Sequence, residues 1–459
     1  MAIAGSAPET PPPAAPGLVG RAPAYAWWVC AVLCFLSINA FIDRQIINLL
    51  VGPLKDDLGL SDVQISLLQG FAFALFHALA AIPLGRMADR YSRKLIIIYG
   101  LVFWTAACAG SGLVSTFMML FVMRAMIGAG EATLSPSGYS LLADYFPRNQ
   151  LGRAISLFLG SGFVGSGIAL ILGGAVLGHV VTSEGSIVLP LVGEVRAWQA
   201  AFLIASLPGV LCVLLMLTVR EPVRTSFGRM VDANLPMPSL REVLAFMVRQ
   251  RRAMGAIFIG FSLLAAMQFG LGAWTPEFFI RIHGWSRSDI GYAYGLNFVI
   301  VGTLGVVVGG WLSDWLATRG YRDANLRTGF IAGLCAFPFV VGFPLMPTGQ
   351  LSFLLLIPAT FFGTMPFGAG TAALPLLTPN RMRAVVVALY LIFANLIGQG
   401  LGPFSVAALT DFVFGDPGML WLSISVAGGL LLALAVTIIG IGLPAISASL
   451  REAEAGERP

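Results

Sequence analysis

Four ionisable side chains stand inside otherwise apolar stretches: Asp43 and Arg44 near the end of the first such stretch, and Arg124 and Glu131 within the run from Phe117 to Leu141. Inside a bilayer each costs roughly 2.5 to 3.5 kcal/mol on insertion scales, so such groups usually face a protein interior or a water-filled path and mark function. Arg124 and Glu131 are seven residues apart, on nearly the same helix face and roughly 10 Å apart along the axis. Ionised together, the four charges sum to zero. Protonating one carboxylate leaves a net positive site, which favours an anionic ligand. Proton and ligand then bias the same equilibrium, each by its differential affinity for two states. Glu131 is expected to be the proton carrier because it lies deepest, where burial most penalises a charged carboxylate. Asp43 is the expected gate or second carrier, with Arg44 and Arg124 as head-group or ion-pair residues. Counted from their helix ends, Asp43 and Arg124 sit at matched depth, so a pair between them is open.

The elements that must position these groups follow from composition. The chain has 459 residues, 57% hydrophobic and 11% charged, with a mean hydropathy of +0.86. That is too apolar and too poor in charge for an ordinary soluble protein. Windows of about twenty residues predict six spans near residues 25–50, 63–84, 95–113, 117–141, 154–180 and 198–217. Six more follow near 253–274, 290–312, 328–345, 351–377, 384–409 and 419–443. The expected organisation is a tail (1–24), a six-helix bundle (25–219), a linker (220–252), a second bundle (253–443) and a tail (444–459). The fold class is therefore an all-α membrane protein of twelve helices in two pseudo-symmetric bundles.

Arg and Lys crowd one set of loops, from Arg21 through Arg86, Arg90, Arg93 and Lys94 to Arg451, whereas the other set holds Lys55, Arg196, Arg281 and Arg287. The positive-inside rule puts both termini and the linker in the cytoplasm; it also explains the net charge of +5 without nucleic acid. The first 24 residues, with Pro11-Pro12-Pro13, cannot build a core and read as a disordered tail rather than a secretory signal. In the linker, Ser239-Leu240-Arg241-Glu242 has capping-box spacing, and Val243, Leu244, Phe246 and Met247 among arginines predict a helix on the membrane surface. The five cysteines lie in apolar runs and indicate neither disulfides nor a metal site.

The two halves echo each other. Gly85-Arg86-Met87-Ala88-Asp89-Arg90-Tyr91-Ser92-Arg93-Lys94 follows the second span and Gly310-Trp311-Leu312-Ser313-Asp314-Trp315 follows the eighth. Gly128-Ala129-Gly130-Glu131-Ala132 in the fourth span meets Gly368-Ala369-Gly370-Thr371-Ala372 in the tenth. Repeats of this kind build secondary transporters, with the site at the midplane between halves.

The Gly-x-x-x-Asp-Arg-x-x-Arg-Lys stretch at Gly85 to Lys94, in a chain of six plus six spans, resembles the signature of the major facilitator superfamily. Ser92 replaces its usual second glycine, and Trp315 replaces the basic residue of the later copy. Gly85, Asp89, Arg90, Arg93, Lys94 and Asp314 are the expected cytoplasmic gate. Ile42-Asp43-Arg44, Ala88 to Lys94, Arg124-x-x-x-Gly128-x-Gly130-Glu131-Ala132 and Leu142-Ala143-Asp144-Tyr145-Phe146 are similar to the spinster-type lipid transporters within that superfamily. The resemblance is specific to the first half; the second shares only architecture. It implies an amphiphilic, lipid-like substrate of the lysophospholipid or sphingoid-phosphate type; joined to the four-charge argument, the expectation is a proton-coupled transporter of such anionic molecules. Organic-anion and acidic-sugar symporters, which carry a similar Arg-to-Glu-Ala stretch, are the alternative.

Facing the charged wall, the second half offers polar and aromatic candidates for lining a cavity: Gln268, Asn297, Thr364, Phe367, Thr371, Tyr390 and Asn395. His77 in the second span could titrate near neutrality and join the coupling, or simply bond a neighbouring helix. The partners implied are protons, a small amphiphilic substrate and the bilayer, with no nucleic acid, no cofactor and no metal; a monomer in a bacterial inner membrane is expected. An intramembrane enzyme is disfavoured by the lack of paired catalytic carboxylates, a His-rich cluster or a Gly-x-Ser-x-Gly elbow. A channel is disfavoured by the lack of a repeated filter loop.

Overall fold

In the computed structural model, which describes residues 22–180, 186–189, 193–222, 239–367, 369, 373–374, 377–379 and 381–454, twelve helices are long and apolar enough to cross a membrane. They are α1 (Ala24–Leu49), α2 (Asp62–Arg90), α3 (Arg93–Ser111), α4 (Phe117–Tyr145), α5 (Asn149–Val176), α6 (Ala197–Thr218), α7 (Arg251–His283), α8 (Arg287–Thr318), α9 (Ala324–Leu345), α10 (Gly349–Phe367), α11 (Val385–Phe414) and α12 (Pro417–Ala448). Several run past the apolar windows: α2 reaches Arg90 and α7 reaches His283. A helical hydrogen-bond ladder does not stop where the side chains become charged, so apolar windows underestimate helix length. Helical backbone also continues past α12 to Glu454, through the segment expected to be tail from residue 444. Side-chain caps set several starts: Ser61 and Gln64 form a capping box at α2, Ser92 accepts from the Leu95 N–H at α3, and Thr116 accepts from Met119 at α4. A small hairpin not foreseen in the sequence, Ser186–Leu189 paired antiparallel with Gly193–Arg196, precedes α6.

The buried apolar residues of α1 to α6 and of α7 to α12 form one continuous core. Call the end where α1 starts and α6 stops the basic end, and the other the far end. Toward the far end the bundles touch through backbone. A Cβ on Gly70 of α2 would lie 1.7 Å from the Gln399 carbonyl oxygen of α11, and one on Gly167 of α5 would lie 2.5 Å from the Gly295 carbonyl of α8. Both α2 and α11 widen into π-turns here, Leu67–Phe71 and Leu396–Leu401, a distortion common at functional sites. At the basic end the picture reverses. Gly85 and Gly310 have open space beside them, and Asp89, Arg90 and Asp314 are exposed. The bundles are thus closed at the far end and parted at the basic end.

Candidate functional site

Arg44 and Glu131 form the central ion pair. The guanidinium Nε and Nη2 both lie 2.6 Å from Glu131 Oε2, and the charge stacks over Phe73 and Phe41 at 4.4 and 4.8 Å from the ring centres. Glu131 is buried, while the Arg44 side chain keeps 19% exposure. The second carboxylate oxygen, Oε1, is buried and has no hydrogen-bond partner among the described residues. Arg44 also faces a hollow of about 30 Å³ between the bundles, lined from α1 and α2 by Phe41, Gln45, Asn48 and Gln69, and from α7 and α11 by Phe269, Ala273, Gln399 and Pro403. That volume holds little more than a water molecule, so the far end of the path is a constriction.

Arg124 meets the Asp43 backbone and not its carboxylate. Arg124 is fully buried and donates to main-chain carbonyls: from Nη1 to Asp43 at 2.8 Å, from Nη2 to Arg44 at 3.4 Å and from Nε to Leu68 at 3.0 Å. Its guanidinium clamps α4 to α1 and α2, where α1 tightens into a 3₁₀ turn (Ile46–Leu49) and α2 widens into its π-turn. Such turns depart from the regular i to i−4 ladder and leave carbonyls for a side chain to satisfy. The Asp43 carboxylate turns into the first bundle instead, toward Asn39 Nδ2 and Cys108 Sγ, each at 3.3 Å. No hydrogen bond joins it to the Arg124 side chain among the described residues, so the pair that matched depth left open is not made in this conformation. Of the four charges, Arg44 is the one that reaches the hollow, and Glu131 is tied to it.

His77 Nδ1 lies 3.2 Å from the Gly128 carbonyl and its ring stacks on Phe73; it bonds a neighbouring helix. In the second bundle Asn297 donates to Thr360 Oγ1 at 2.7 Å. Thr364 bonds carbonyls of its own helix and is wholly buried, so it packs helices rather than lining a cavity. Gln268 is buried beside Gly363. Tyr390 packs edge-on to Phe258, and Asn395 accepts from Gln399 at 3.0 Å. Phe367 contacts Phe163 of the first bundle and Phe269 of the second. Thr371 lies outside the described residues.

The signature loop is latched within its own bundle. Arg93 pairs with Asp144 at the end of α4 and with Glu221 beyond α6 at 2.8 Å. Lys94 Nζ donates to the Leu217 carbonyl and its backbone N–H to Glu221, both at 2.8 Å. Burial pushes the Glu221 carboxyl up, but the Lys94 N–H, Arg93 and Ser92 outweigh it and hold it below its ordinary range.

The sequence reading missed a second polar cluster at the far end. Buried Asp62, in the first turn of α2, pairs with Lys55 of its own bundle and receives Arg281 of α7. Arg281 also holds Glu277 at 3.2 Å, and the Val63 N–H donates to Asp411 of α11 at 2.7 Å. Its signal was the charge distribution: Lys55 and Arg281 stand on the side where basic residues are scarce.

A model of the Major Facilitator Superfamily matches residues 27–403. Protein spinster of Drosophila melanogaster is 25% identical over 432 residues, covering 90% of this chain and 66% of that protein. A probable L-galactonate transporter of Escherichia coli (strain K12) is 24% identical over 393 residues, covering 83% of this chain and 82% of the other. The crystal structure of a bacterial homolog to the human lysosomal transporter Spinster, in an inward-facing and occupied conformation, superposes with a TM-score of 0.74 at 25% identity, covering 94% of this chain and 98% of that one. The family model spans most of the chain and the twelve helices fall in the two bundles it requires: this protein belongs to the Major Facilitator Superfamily, is a multi-pass membrane transporter rather than an enzyme, and resembles the spinster proteins within it.

Proposed function

We propose that the chain is a proton-coupled secondary transporter of amphiphilic, anionic, lipid-like molecules, working by alternating access. The observation that carries this reading is the Arg44–Glu131 pair beside the hollow between the bundles. Protonating Glu131 would cancel its hold on Arg44 and free a guanidinium, already reaching the path, for an anionic head group. Binding of proton and cargo would then be linked through one ion pair. The wall opposite carries Phe269, Ala273 and Pro403 beside Gln399, and its apolar part would suit a greasy body behind the charged head. The basic end would face the cytoplasm of a bacterial inner membrane, making this conformation inward-facing, and the monomer would be the working unit. Gly85, Asp89, Arg90, Arg93, Lys94 and Asp314 would gate that end when the bundles rock together. Asp43, whose carboxylate meets Asn39 and Cys108, would be a gate or second proton carrier.

Uptake driven by a proton gradient, measured on purified protein in liposomes with a panel of lysolipids, tests the reading, with Glu131→Gln beside the parent chain. Gradient dependence should vanish in the variant; an unchanged response removes Glu131 from the coupling. Likeness to the L-galactonate transporter favours a second reading, a symporter of acidic sugars or other organic anions. It would use the same pair with a smaller cargo, and sugar acids in the same assay separate the two.

A further inference from the structure

The linker helix Leu240–Arg249, started by the Ser239 cap, has two apolar faces. Val243 and Phe246 are buried against the protein. Leu244 and Val248, one turn apart on the adjoining face, are 48% and 64% exposed. Arg241 and Arg249 are exposed on the side beyond them, with exposed Glu242 on the face of Arg249, two turns before it. The helix breaks at Gln250, and α7 begins at the next residue with the exposed pair Arg251-Arg252. A helix one residue away from a membrane-crossing helix lies at the bilayer boundary. An apolar edge beside a guanidinium-rich face is the pattern of helices that lie in the lipid interface, and clustered arginines there attract anionic head groups.

We infer that this helix is a docking surface for anionic phospholipid of the leaflet at the basic end. Leu244 and Val248 enter the acyl boundary, while Arg241, Arg249, Arg251 and Arg252 take the lipid phosphates. The helix thereby anchors the start of α7. The test needs no transport assay, so it stands apart from the proposed substrate and coupling. A spin label is placed at Val248→Cys, with Cys34 and Cys335 replaced by Ala, in the full chain reconstituted in phosphatidylcholine vesicles with or without roughly a third phosphatidylglycerol. Collision with oxygen and with a water-soluble nickel chelate reports depth. Anionic vesicles should cut nickel access several-fold and raise oxygen access. That protection should fall when Arg241 and Arg249 become Gln, and in roughly 1 M salt, where screening shortens to about 3 Å. A label open to nickel in both vesicles overturns the docking surface; protection that is equal in both, and indifferent to the arginines, overturns its preference for anionic lipid.

Discussion

Asp62 of the first bundle and Arg281 of the second are joined by two hydrogen bonds, of 2.9 and 3.2 Å, at the closed far end of the protein. The carboxylate sits in the first turn of α2, where a helix N-terminus also favours negative charge. Arg281 meanwhile holds Glu277 one turn away on α7. Lys55 approaches the same carboxylate from its own bundle. The pair needs the two bundles together at this end, so under the proposed alternating access its free energy would count toward one state and not the other.

Replacing Asp62 with Asn should therefore open the far end. A hydrogen-bonded charge pair contributes about 1.5 to 3 kcal/mol, and each 1.4 kcal/mol is about tenfold in a population. Labelling of a cysteine introduced on the far-end surface, by a membrane-impermeant thiol reagent, should rise about tenfold or more. Unchanged labelling in Asp62→Asn would mean that the backbone contacts alone keep the far end closed.

Gly70 supplies the sharpest of those backbone contacts. A Cβ there would lie 1.7 Å from the Gln399 carbonyl oxygen, and its nearest neighbours all belong to α11 across the interface. A main-chain oxygen in a packed helix cannot swing aside as a side-chain tip can. Gly70→Ala should consequently trap the far end open and abolish transport, while the melting temperature in detergent hardly changes because packing within the first bundle is untouched. Normal transport in Gly70→Ala would show that α2 and α11 part more easily than their contact implies.

Twelve spans and their grouping into two halves were legible because a bilayer demands about twenty apolar residues per helix, a signal local in sequence. The Arg124-to-Glu131 stretch stood out for the same reason, as charge where charge is costly. Which group each residue meets was not legible. Arg124 finds carbonyls 56 and 81 residues away, and Asp43 finds Cys108. These meetings depend on how far each helix is rotated about its axis, and a helix that is apolar nearly all round carries little periodicity to fix that rotation. The π-turns at Leu67 and Leu396, which move carbonyls out of register, leave no mark in composition. Asp62 stands at a helix start, where it reads as a capping residue, and only its partner on α7 shows that it joins the two bundles.

Arg124 is a clamp in this conformation, and that can be separated from a role in cargo binding. Arg124→Gln leaves buried carbonyls of Asp43, Arg44 and Leu68 short of donors, at a cost of about 1 to 3 kcal/mol for each group left unpaired. The melting temperature in detergent should drop by several degrees, and the KM of whatever protein stays folded should be unchanged. A raised KM with full stability would instead mean that Arg124 meets the cargo.

Arg44→Lys keeps the charge but loses the planar fork that places two nitrogens on one Glu131 oxygen, and with it the flat stacking on Phe73 and Phe41. Transport driven by a proton gradient should fall at least about tenfold, the equivalent of 1.4 kcal/mol, with little loss of stability. Transport at the parent rate in the lysine variant would show that a point charge suffices and that the geometry of the fork is incidental.

Glu221 makes the latch at the basic end sensitive to acid. Its carboxyl is held below the ordinary value of 4.5: burial opposes ionisation, but the Lys94 N–H, Arg93 and Ser92 favour it more strongly. The unfolded chain therefore takes up the proton first. The stabilisation is complete above pH 4.5 and is lost as the pH falls through the lower folded value. Comparing melting temperatures of the parent and Glu221→Gln across pH should give a gap that is widest near neutrality and closes in acid. The side chain is 29% exposed, so solvent screens the pair and the gap should be modest. A gap that widens in acid would mean that the carboxyl is held above its ordinary value, with burial outweighing its three donors.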